Sequence, residues 1–66
     1  MKWDTARARE IIHAAGGPDR IAEATGLGVR TVRRVQSERG RSPTYETAAL
    51  IAEATGRSLD DFRRRK

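Results

Sequence analysis

The stretch Ile21-Ala22-Glu23-Ala24-Thr25-Gly26-Leu27-Gly28-Val29-Arg30-Thr31-Val32-Arg33-Arg34-Val35-Gln36 decides how this chain is read. Its first half is rich in alanine and glutamate and stops at a glycine, the residue that most easily adopts a left-handed helix cap. Its second half places valine at 29, 32 and 35, a helical stripe, with arginines at 30, 33 and 34. Two helices joined by a short glycine-containing turn predict a helix-turn-helix. A second helix with valines inward and guanidinium groups outward suits a DNA major groove.

Five helices are expected around that segment, with no strand pattern of comparable quality. Helix 1 covers 4–15, with Asp4 as N-cap, Ala8, Ile11, Ile12 and Ala15 on one stripe, and Gly16-Gly17 as the stop. Helix 2 covers 18–25, with Pro18 in its first turn and Ile21, Ala22 and Ala24 available for the core. Helix 3 runs from about Gly28 to Ser37, with Val32 and Val35 inward and Val29 nearer the boundary of that face. Residues 38–42 read as a loop. Helix 4 starts at Pro43-Thr44, passes through Ala48, Leu50, Ile51 and Ala52, and stops at Gly56. Helix 5 opens at Ser58 with Asp61 three residues on, an aspartate variant of the capping box, and offers Leu59 and Phe62. The expectation is an all-α bundle over residues 1–62 followed by a basic tail, Arg63-Arg64-Arg65-Lys66.

Sixty-six residues allow one domain and one modest core. Aromatics are only Trp3, Tyr45 and Phe62, so alanine and aliphatic residues must supply most of the interior. A core that small gains from a partner subunit or a ligand surface. It leaves too little bulk for a deep substrate pocket, and no nucleophile–base set, phosphate-binding glycine loop or paired catalytic carboxylates can be assembled. No enzyme activity, cofactor or small-molecule ligand is expected. The chain has no cysteine, hence no disulfide framework and no thiolate metal site. His13 is the lone histidine, without a second metal ligand at sensible spacing, and reads as a helix surface or boundary residue. No apolar run approaches the roughly 20 residues that span a bilayer, and the first ten residues lack a signal-peptide core. A soluble, cytoplasmic protein with no membrane partner is the expectation.

The net charge of +5 and the isoelectric point near 11.1 point to a polyanionic partner. Residues 1–29 are neutral overall, residues 30–41 carry five arginines against one glutamate, residues 42–62 are net acidic, and the last four are all basic. The excess therefore sits on helix 3, the following loop and the tail. Lys2, Arg7 and Arg9 lie near balancing acids and read as a solvated face. Ile-Ala-Glu-Ala-Thr-Gly occurs at 21–26 and again at 51–56, either shared helix-ending chemistry or a duplicated helix pair. Only the first copy precedes an arginine-rich helix.

Taken together, Ile21-Ala22, Gly26-Leu27, Thr31-Val32 with Val35, Pro43-Thr44, Ile51-Ala52 with Gly56, and Ser58-Leu59-Asp60-Asp61-Phe62 resemble the lambda repressor and Cro-like helix-turn-helix family in order and spacing. The resemblance covers about residues 11 to 62. It implies a compact five-helix lambda repressor-like bundle with helix 3 in the major groove. The family often has glutamine where Pro18 stands and serine where Gly28 stands. Phosphate anchoring is then left to arginines and to main-chain N–H groups such as that of Gly28.

Arg30 and Arg34 share the outer face and are expected to read base edges, where an arginine fork can bond guanine N7 and O6. In the resembling family these positions correspond to base-reading sites. Val29 has two readings, contact with a thymine methyl or core packing. Arg33, Arg39 and Arg41 are candidate phosphate contacts. Thr31 either bonds phosphate or caps the first turn. The basic tail follows the DNA backbone, enters a minor groove or only aids solubility. Trp3 is placed to staple onto Ala8, and Tyr45 either closes the core under helix 4 or lies at a subunit contact.

The expected function is a sequence-specific double-stranded DNA-binding transcriptional regulator, Cro- or repressor-like, acting by operator occupancy. Its partners would be double-stranded DNA and a second copy, paired either in solution or only on DNA, with helix 5 (Leu59 and Phe62) available for the dimer unless the core takes those side chains. The rivals are a DNA-binding antitoxin, a phage excision or architectural factor, and a protein-binding helical module. The last expects a neutral helix 3, which Arg30, Arg33 and Arg34 oppose. Single-stranded RNA readers need aromatic platforms that this chain lacks.

Overall fold

Local backbone chemistry sets where each helix starts and stops. The computed structural model describes residues 3–37 and 42–63. Helix α1, Thr5–Ala14, opens under Asp4, whose side chain accepts from the Arg7 N–H at 3.0 Å. Helix α2, Pro18–Thr25, carries its proline in the first turn, where no N–H is needed. Gly26 closes it at φ 79°, a left-handed conformation that favours glycine. Helix α3, Val29–Val35, is only seven residues long. Helix α4, Tyr45–Thr55, is capped by the Thr44 side chain, which accepts from Thr47 N–H at 3.3 Å.

Four α-helices are found among the described residues, not five. The segment expected as helix 5 is a single 3-10 turn, Leu59–Phe62. Its opening matches the sequence, since Ser58 N–H donates to Asp61 Oδ2 at 3.2 Å. It stops because the Phe62 carbonyl accepts from Asp4 N–H at 2.9 Å. Arg63 meanwhile turns extended (φ −81°, ψ 135°) and forms an antiparallel bridge with Trp3. That carbonyl is the one a continuing helix would have turned to its own next turn.

The core lies where one stripe from each element meets. Ala8, Ile11 and Ile12 come from α1, Ile21 and Ala22 from α2, Val32 and Val35 from α3, and Ala48, Ile51 and Ala52 from α4. Trp3 and Phe62 close it from the two ends of the described chain, and Leu27 and Leu59 pack against its edge. No polar or charged residue is buried among the described residues. Helix α3 packs chiefly on α2, which also meets α4, while the 3-10 turn sits between α1 and α4. The radius of gyration is 10.2 Å, close to the value of about 11 Å expected for a folded chain of this length. No described helix is long and apolar enough to cross a membrane.

Several side chains depart from the sequence reading. Ala24 is exposed, on the outer side of α2, and adds nothing to the core. Tyr45 is 72% exposed and Leu50 40% exposed; neither falls on the inward stripe of Ala48, Ile51 and Ala52. Trp3 stacks on Phe62 with ring centroids 4.9 Å apart and planes 4° from parallel. Trp3 and Ala8 are buried in the same core cluster, and the aromatic partner from the far end of the chain is an addition to the expected staple. Phe62 is fully buried, so it is not available as a dimer surface.

Candidate nucleic-acid interface

Helix α3 divides into two faces. Val32 and Val35 are 0% and 3% exposed, whereas Arg30, Thr31, Arg33 and Arg34 are all exposed. At 3.6 residues per turn, Arg30 and Arg34 both lie within about 20° of the direction opposite Val32. Val29, 37% exposed, sits at the edge between the faces. Among the described residues no carboxylate stands within ion-pair distance of Arg30, Arg33 or Arg34, and the ion pair present, Arg63 with Asp60 at 3.2 Å, lies elsewhere. Three guanidinium groups on two helical turns, with no ion-pair partner among the described residues, create a local positive field open to solvent.

The amino end of α3 is bare. Gly28 adopts an extended N-cap conformation (φ −68°, ψ 146°) with no side-chain cap, and no acidic residue lies in the first turn. The Thr31 N–H goes to Gly28 O at 3.0 Å, and Thr31 is exposed and borders a cleft. That cleft, about 200 Å³, is lined by Thr31, Arg34, Val35, Ser42, Pro43, Thr44 and Thr47. It gathers four hydroxyl residues beside one arginine; the Thr44 hydroxyl donates to Thr47 Oγ1 at 3.1 Å, which leaves Thr31, Ser42, Thr47 and Arg34 as groups able to donate to phosphate oxygens. The sequence reading did not anticipate Ser42, Thr44 and Thr47 here, because only the packed bundle sets the start of α4 beside α3.

The carboxyl end of α3 is held from α1 and the chain segment before it. Trp3 Nε1–H donates to Val35 O at 2.8 Å in a buried bond. Arg9 Nη2 donates to Gln36 O at 3.0 Å. Arg9, read from sequence as part of a solvated face, thus anchors the last turn of the arginine helix and places a cation at its carboxyl terminus.

Of the other candidate residues, Arg39 and Arg41 lie outside the described residues, as do Arg64, Arg65 and Lys66 of the tail. Arg63 is tied by the Trp3 bridge and by Asp60. His13 is exposed in the last turn of α1. A second cleft, about 340 Å³, is lined by Asp4, Arg7, Asp60, Asp61 and Arg63. Its carboxylates already serve the fold: Asp4 caps α1, Asp61 takes the Ser58 N–H, and Asp60 pairs with Arg63. Comparisons of the chain with protein-family models, curated proteins and solved structures find no match.

Proposed function

We propose that the chain is a sequence-specific double-stranded DNA-binding regulator in which α2 and α3 act as a helix-turn-helix. Helix α3 lies in the major groove; Arg30 and Arg34 read base edges there, and Val29 meets thymine methyl groups. Arg33, the main-chain N–H of Gly28, Thr31 and the hydroxyl cleft at the start of α4 hold the backbone. Arg39 and Arg41 are further candidate phosphate contacts by sequence. Regulation follows from occupancy, since a bound operator is closed to polymerase or to a competing regulator.

The observation that carries this reading is the exposed, uncompensated set of Arg30, Arg33 and Arg34 opposite the buried Val32 and Val35. Arginines serving only solubility gain from nearby acids; these have none among the described residues.

Selection of bound sequences from a pool of random duplexes tests it. A single preferred motif, with affinity falling steeply as salt rises, is the expected result. A pool that emerges unenriched at low salt would end the DNA reading. Twofold symmetry in the motif would mark a pair of chains on adjacent half-sites about one helical turn apart.

A further inference from the structure

We propose that Trp3 and Arg9 are positioning residues for α3, acting as a clasp on its carboxyl end that sets how sharply Arg34 and Arg30 discriminate bases. The proposal rests on the DNA-binding reading above.

Helix α3 cannot hold its own position. Seven residues are far below the length at which an isolated helix persists in water, and three of its seven are valine, a β-branched residue with modest helix propensity. Its amino end has no side-chain cap. Rigidity must come from tertiary contacts. Val32 and Val35 fix its rotation, and the fixings on its last carbonyls come from Trp3 and Arg9.

Both donors are themselves held. The indole lies flat on Phe62, its backbone bridges to Arg63, and the next N–H, that of Asp4, donates to Phe62 O at 2.9 Å. Arg9 projects from α1, whose neighbours Ala8, Ile11 and Ile12 are buried. The carboxyl end of α3 is therefore pinned by side-chain donors from α1 and from the segment before it, whereas its amino end is held by apolar packing on α2 and by the turn that joins them. Loosening the clasp lets α3 swing about that turn, and Arg34, beside Val35, moves further than Arg30.

Bidentate base contacts tolerate little displacement, whereas phosphate contacts are longer-ranged and adaptable. Loss of the clasp should thus erode discrimination more than overall affinity, and erode it first at the base read by Arg34.

The test uses Trp3→Phe, which keeps an aromatic ring on Phe62 but removes the indole donor, and Arg9→Met, which keeps chain length without the guanidinium. Two readouts are needed. In hydrogen exchange, amides of residues 33–37 should exchange about tenfold faster in Trp3→Phe while those of α2 and α4 change less than about twofold, as expected for one lost buried bond. Against DNA, each variant should bind the selected duplex about tenfold more weakly and a scrambled duplex of equal length within about twofold of the parent.

Exchange that rises equally in every helix, or not at all, overturns the clasp. Equal weakening on both duplexes, or none on either, overturns its role in discrimination. A parent chain that binds selected and scrambled duplexes alike sinks the DNA reading by itself, and the exchange comparison still decides the clasp.

Discussion

Residues 21–26 and 51–56 carry the same six amino acids and adopt the same structure twice. Ile21 and Ile51 are both buried to within 1%. Thr25 Oγ1 donates back to Ile21 O at 2.7 Å, and Thr55 Oγ1 to Ile51 O at 2.9 Å. Gly26 and Gly56 both turn left-handed, at φ 79° and 71°. The two copies then diverge. After the first comes a helix whose arginines stand free in solvent; after the second comes one turn that folds Phe62 wholly inside. In the same register, Gly28 faces Ser58, Arg30 faces Asp60 and Val32 faces Phe62. One helix-ending signal thus feeds an exposed, arginine-rich face in one half and a core plug in the other, and the next six residues make the difference.

The plug is the place to break that contrast hardest. Phe62→Ala should cost about 3–5 kcal/mol, against about 2 kcal/mol for Val32→Ala at the matching position of the first half. A chain this short holds about 3–5 kcal/mol in all, so Phe62→Ala should be largely unfolded in a denaturant titration at room temperature. A smaller loss than at Val32 would show that the second half is not the keystone.

Arg34→Ala comes next and touches the arginine-bearing half alone, the half proposed to bind DNA. It should cost about 1–3 kcal/mol on a selected duplex and relax preference at one base, with the melting temperature nearly unchanged. Equal losses on selected and scrambled duplexes would reduce Arg34 to a phosphate contact.

Gly26→Ala and Gly56→Ala sharpen the likeness instead. At both positions an added methyl meets nothing within 4 Å, so the cost is that of the left-handed backbone, about 1 kcal/mol each. Calorimetry that separates the two by more than about 0.5 kcal/mol, the usual scatter of independent sites, would mean the two turns are not equivalent.

The mildest change copies Ser58 into the first half. Gly28 already has the extended N-cap geometry, and its missing side chain has open space around it. Gly28→Ser should therefore stabilise by a few tenths of a kcal/mol, raising the melting temperature by about 2 °C. A lowered melting temperature would show that the bare amino end of α3 serves the fold.

This contrast also marks what was legible in the chain. Helix α2 was readable to the residue because its start is a proline and its stop a left-handed glycine, both local signals. The outward arginines of α3 and its inward Val32 and Val35 followed from a 3.6-residue period. The 3-10 turn was read as a helix because Ser58, Leu59, Asp61 and Phe62 specify only a first turn. Whether that turn propagates depends on Trp3 and Asp4, nearly sixty residues away in sequence. Arg9 was hidden for the same reason: beside Glu10 it looks like ordinary surface charge, and its acceptor lies 27 residues on. The hydroxyl cleft needed the packing of the start of α4 beside α3, which no spacing rule reports.

Because Trp3 and Arg63 pair backbone to backbone, described residues 3 and 63 lie side by side and the segment between them comes close to closing a ring. A covalent link between those two positions would complete it. Reopening such a ring at the Gly16-Gly17 turn would give a permuted chain ordered α2, α3, α4, 3-10 turn, α1. In that order Trp3 and Phe62 would be near neighbours in sequence, and their stacking would need no long-range search during folding.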